Sequence, residues 1–138
     1  MRLFIFSGNN KNVVPGSPEA NHEIIGVDIS TATDYFYDYI EAFDFLEYCH
    51  YEKPLEILGS KLSKTGKVLI QGTDVNQACK FLKNGDIDNE QFSEMVCSGR
   101  VRSNSVHSIL TEMQEKYGFE ILYSGIIGHY YSIEAKRK

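Results

Sequence analysis

Leu3-Phe4-Ile5-Phe6 is apolar at four successive positions and stops abruptly at Ser7-Gly8-Asn9-Asn10. A strand with one wet face alternates polar and apolar residues, whereas an unbroken run marks a strand covered on both faces. Such strands belong to parallel sheets whose connections are helices. The rest of the chain fits that pattern. EIIGVD (23–28), YIEAF (39–43), KVLIQ (67–71), FEILY (119–123) and YYSIEA (130–135) read as further strands. Pro54 opens a helix carrying Leu55, Leu58 and Leu62, which Ser63-Lys64-Thr65-Gly66 is expected to break. Asp74 caps a second helix with Val75, Ala78, Phe81 and Leu82 on one face, ended by Asn84-Gly85. Asp88 with Gln91 reads as a capping box opening a short helix. Val106, Ile109, Leu110 and Met113 recur at helical spacing. A short loop, SGIIGH, separates the last two strands, so they pair antiparallel. The alternation of strands and helices predicts an α/β fold, a mostly parallel sheet with an antiparallel C-terminal strand, in one domain spanning residues 1–138.

Composition narrows the function. A net charge of −5 opposes non-specific nucleic-acid binding, and the basic run Lys136-Arg137-Lys138 is a solvated end. Three cysteines, Cys49, Cys79 and Cys97, form no C-x-x-C and read as reduced thiols of a cytoplasmic protein. His22, His50, His107 and His129 lack metal-ligand spacing, so no metal is expected. GDIDNE lacks the glycine and terminal glutamate of a calcium loop. No apolar stretch reaches the length of a signal-peptide core or a membrane span. The Ser7–Asn10 loop is neither G-x-G-x-x-G nor a P-loop, which makes a nucleotide-binding oxidoreductase on the same sheet the weaker third reading.

The order of pieces resembles a class I S-adenosylmethionine-dependent methyltransferase, which implies a Rossmann-like three-layer sandwich. RLFIFSGNNKNVVPG followed by HEIIGVDIS is similar to the family's glycine-loop strand and its acidic continuation. YIEAFDFLEYCHYEKPLEIL and LSKTGKVLIQGTD resemble its central motifs, and KYGFEILYS with HYYSIEAKR its closing strands. The resemblance implies that S-adenosylmethionine is the cofactor. It places Ser7, Gly8 and Asn9 against the methionine and ribose portion. It gives Asp28, with Ile29 beside it, to the ribose hydroxyls, and Phe43 and Asp44 to the sulfonium end. Catalytic candidates are Asp44 and His50, the latter as a general base. Local reading offers Asp44, with Glu47 three residues on, as a helix cap instead. The expected partner is a small-molecule or sugar acceptor, with a homo-oligomer as a further expectation.

The chain departs from the family in three places. Glycines beyond Gly8 are missing from the first loop. Ten residues separate Asp28 from Tyr39, where the family fits a helix and an adenine-reading strand. Asp44 and Tyr48 stand where the family has histidines. These departures keep a second class open, a catalytically inactive derivative of the fold used as a binding or assembly module.

Overall fold

A computed structural model describes residues 1–6 and 22–137. Its strands are β1 (Arg2–Phe6), β2 (His22–Ile25), β3 (Tyr37–Phe43), β4 (Leu62–Thr73), β5 (Phe119–Ile127) and β6 (Tyr130–Arg137). Its helices are α1 (Phe45–Tyr48), α2 (Pro54–Lys61), α3 (Val75–Lys83), α4 (Asn89–Val96) and α5 (Val106–Glu115). The strands form one six-stranded sheet in the order β2-β1-β3-β4-β6-β5. β1 pairs parallel with β2 and β3, and β3 with β4. β6 runs antiparallel to β4 and β5. The chain therefore leaves β1 on one side for β2 and returns on the other for β3. That switch point lies between the carboxyl ends of β1 and β3, where open α/β sheets bind ligands.

Register explains the core. Leu3, Ile40, Val68 and Ala135 lie side by side across four strands, as do Ile5, Ala42, Ile70 and Ile133, and all eight are fully buried. These rows share one core cluster with Phe45, Leu58, Ile109 and Met113 from the helices. Each such Leu, Ile or Phe contributes about 1.5–3 kcal/mol by leaving water. The opposite face carries Phe4, Phe6, Tyr39, Phe43 and Leu69, all half-buried and outside that cluster. Two layers of the expected sandwich are thus present among the described residues, the sheet and one helical layer.

Local signals set most boundaries. The Asp74 carboxylate caps two helices, accepting from Gln77 N at 2.9 Å and from Val106 N at 2.8 Å. The Asp88–Gln91 capping box forms in both directions. Two expectations fail. Ser63–Gly66 does not separate helix from strand, because β4 starts at Leu62 and runs straight through. Gly66 allows this: a Cβ there would sit 2.8 Å from the Tyr37 carbonyl oxygen, so only glycine lets β3 approach. Likewise most of SGIIGH is strand, and the turn between β5 and β6 is only Gly128-His129, with Gly128 at φ 62°. Between β2 and β3, residues 26–36 form neither helix nor strand. That loop is pinned to α2, since the Lys61 ammonium bonds the Asp34 carboxylate at 2.7 Å and the Ala32 carbonyl at 3.0 Å.

Candidate functional site

Two polar groups flank the switch point at the carboxyl ends of the strands. The first centres on Asp28, just past β2. Its Oδ1 accepts from Ser30 Oγ at 2.8 Å, from Ser30 N at 3.1 Å and from Tyr51 Oη at 2.9 Å. These donors, the Ser30 hydroxyl foremost, hold the carboxyl below the ordinary aspartate range. Among the described residues, every bond Asp28 accepts ends on Oδ1. Tyr51 Oη in turn accepts from Ile29 N at 3.0 Å, and the Tyr51 carbonyl accepts from Arg102 Nη2 at 2.7 Å. Val27, Asp28, His50 and Tyr51 line a cavity of about 340 Å³.

The second group follows β3. Asp44 sits in the left-handed region at φ 53°, and its side chain caps no backbone N–H. The capping reading of Asp44 with Glu47 is therefore replaced by a tight turn out of the strand. Burial pushes the Asp44 carboxyl above its ordinary value, with Arg100 and His129 pulling the other way. Glu47, on α1, is 1% exposed. Its Oε1 accepts from Tyr131 Oη at 2.5 Å and from Asn104 Nδ2 at 3.3 Å. Burial raises its carboxyl to about 7 despite these donors. The Glu47 carbonyl also accepts from Val101 N at 2.7 Å and Arg102 N at 3.3 Å. Among the described residues, the buried side-chain polar atoms without a hydrogen-bond partner are Asp44 Oδ1, Glu47 Oε2 and Arg100 Nε. All three belong to this one group. Arg100 and His129 also line a cavity of about 310 Å³ with Thr73, Gln91, Glu94 and Tyr130. Burial keeps the His129 imidazole below the usual histidine range. Another cavity, of about 340 Å³ between α2 and the start of β5, opens at the opposite end of the sheet.

The structure brings Asp28 and His50 together in one cavity and sets Asp44 in the other group. Phe43 is half-buried at the end of β3, in register with Phe6 and Gln71 on the face opposite the core. Ile29 is fully buried, so its side chain cannot meet a ligand; its backbone N–H braces Tyr51 instead. Ser7, Gly8 and Asn9 lie outside the described residues. Glu47 and Tyr131 carried no functional signal in the sequence, because 84 positions separate them. Tyr51 was legible only as a neighbour of His50. Among the described residues, no helix is long and apolar enough to cross a membrane.

No family model matches the chain, and no curated protein matches it. Solved structures do. An S-adenosylmethionine-dependent methyltransferase from Thermotoga maritima, described as a possible histamine N-methyltransferase, superposes with a TM-score of 0.60 at 16% identity. That match covers 85% of this chain and 64% of the Thermotoga chain, so this protein spans under two thirds of that relative's length. A Methanosarcina mazei S-adenosylmethionine-dependent methyltransferase gives 0.60 at 11% identity, covering 99% of this chain and 92% of the other. A structure of the Trm112 methyltransferase activator in complex with a methyltransferase from Haloferax volcanii matches at 0.58 and 9% identity, covering 98% and 81%. The fold is that of the class I methyltransferases.

Proposed function

We propose that the protein binds S-adenosylmethionine and transfers its methyl group to a small-molecule or sugar acceptor. The observation that carries this reading is Asp28. It is a carboxylate just past the carboxyl end of β2, beside the switch point, and its bonds to described residues all fall on one oxygen. That is the donor-accepting geometry a ribose hydroxyl needs. When bound, the cofactor supplies an electrophilic methyl group on a positively charged sulfur. The half-buried Asp44, with its unmet Oδ1, suits the cationic end of such a molecule. Methyl transfer is an in-line displacement governed by proximity and alignment, so the chain's task is to hold two molecules end to end. His129, uncharged at neutral pH and lining the cavity beside Asp44, is placed to take a proton from an acceptor hydroxyl or amine. His50 lines the cavity at Asp28 and not this one.

Calorimetric titration with S-adenosylhomocysteine tests the reading. Wild-type protein is expected to bind, and Asp28→Ala to bind about a hundredfold more weakly, the loss of a charge-assisted hydrogen bond at a fixed site. Absence of binding by the wild type, or equal binding by the variant, removes it. The second reading, a binding or assembly module without catalysis, draws on the half-buried apolar face carrying Phe4, Phe6, Tyr39, Phe43 and Leu69. It is favoured if the titration gives no heat and the protein is a stable oligomer.

A further inference from the structure

We infer that Tyr51 and His50, from the loop between α1 and α2, form the wall that receives the adenine ring. The inference rests on the S-adenosylmethionine reading above and names the part of the chain that distinguishes an adenine nucleoside. A nucleoside whose ribose meets Asp28 must lay its base within a few ångströms of that carboxylate. Of the residues beside Asp28, Ile29 is fully buried and cannot receive it, and Val27 lines the cavity without a ring to stack on. The β2–β3 connection brings no strand or helix to this place. Of its two exposed aromatics, Tyr35 lines the cavity at the opposite end of the sheet and Phe36 packs edge-on against Tyr37. The rings at Asp28 are those of His50 and Tyr51, which share its cavity.

Tyr51 is built as a fixed platform. Its hydroxyl donates to Asp28 Oδ1 at 2.9 Å and accepts from Ile29 N at 3.0 Å. Its carbonyl is held by Arg102 at 2.7 Å, and its ring lies 6.4 Å from Phe45 of the core. A ring held at both ends loses little freedom when a base stacks on it. An aromatic face accepts any planar base, and the exposed His50 imidazole can add a hydrogen bond to the base edge. Because one hydroxyl ties the platform to the ribose-binding carboxylate, base and sugar are recognised as a unit.

The test titrates adenosine and S-adenosylhomocysteine into wild type, His50→Ala, Tyr51→Phe and Tyr51→Leu, with circular dichroism and ligand-free thermal midpoints alongside. Tyr51→Leu is expected to weaken both ligands about tenfold, the value of one stacked base. His50→Ala and Tyr51→Phe are expected to weaken both by about threefold, with folded spectra and a wild-type midpoint for His50→Ala. Equal factors for adenosine and S-adenosylhomocysteine place the effect on the nucleoside. If Tyr51→Leu fails to fold, the other two variants decide. The inference is overturned if wild type binds S-adenosylhomocysteine while His50→Ala and Tyr51→Phe bind within twofold of it. Failure of the wild type to bind either ligand is a different result, and overturns the cofactor reading along with this one.

Discussion

Relative to Glu47→Gln, the wild-type protein should lose about 3 kcal/mol of stability between pH 4.5 and pH 7.5. Burial raises the Glu47 carboxyl from its ordinary 4.5 to about 7 in the folded protein. Below pH 4.5 the group is protonated in both states, and its protonation costs folding nothing. As pH rises, the unfolded chain releases this proton first while the folded protein retains it, so stability falls. The fall ends once pH passes about 7, where both states are ionised. Each unit of displacement is worth about 1.4 kcal/mol, which gives the stated size. Asp44 is displaced in the same direction, and Asp28 and Asp38 in the opposite one. Only the difference between wild type and Glu47→Gln therefore isolates Glu47. Glutamine keeps an oxygen for Tyr131 and Asn104 but has no proton to release. Urea unfolding of both proteins at several pH values measures the difference, and parallel curves would remove the titration of Glu47 as its cause.

Gly72→Ala is expected to cost roughly 3 kcal/mol and to lower the thermal midpoint by roughly 10 °C. A Cβ on Gly72 would lie 2.6 Å from both Glu47 Oε1 and Tyr131 Oη, the two atoms of the buried hydrogen bond. The glycine makes room for that bond, and an added methyl group must break it or push β4 away from α1. Breaking it adds an unmet hydroxyl to an acid already short of partners. Gly26→Ala is the control, since a Cβ there meets nothing within 4 Å. In a Glu47→Ala background the cost of Gly72→Ala should shrink, because part of the obstruction has gone. Full additivity in the double variant would show that the glycine matters for another reason.

What the sequence revealed follows the distance over which each interaction acts. The caps at Asp74 and Asp88 were legible because a carboxylate and the amide three residues on are neighbours in any helix start. Asp28 was expected as the last residue of a strand, whereas β2 stops at Ile25 and Asp28 lies three residues beyond it. One step further along this irregular segment, the Ile29 side chain turns into the core. Glu47 looked like a surface acid of a short helix. Tyr131 and Asn104, 84 and 57 positions away, make it the centre of a buried network. The Ser63–Gly66 stretch misled because polar residues with a glycine usually interrupt strands, whereas here the glycine serves close packing of β3 on β4.

The segment from Cys97 to Asn104 acts as a splint across the two halves of the ligand end. Val101 and Arg102 donate their amides to Glu47, and the Arg102 guanidinium holds the carbonyl of Tyr51. Tyr51 in turn braces Asp28. A short, irregular stretch thus touches both the buried acid and the Tyr51 ring, with no regular structure of its own to absorb a displacement. A displacement of one half is expected to reach the other through it, and the solvent exchange of those two amides measures whether it does.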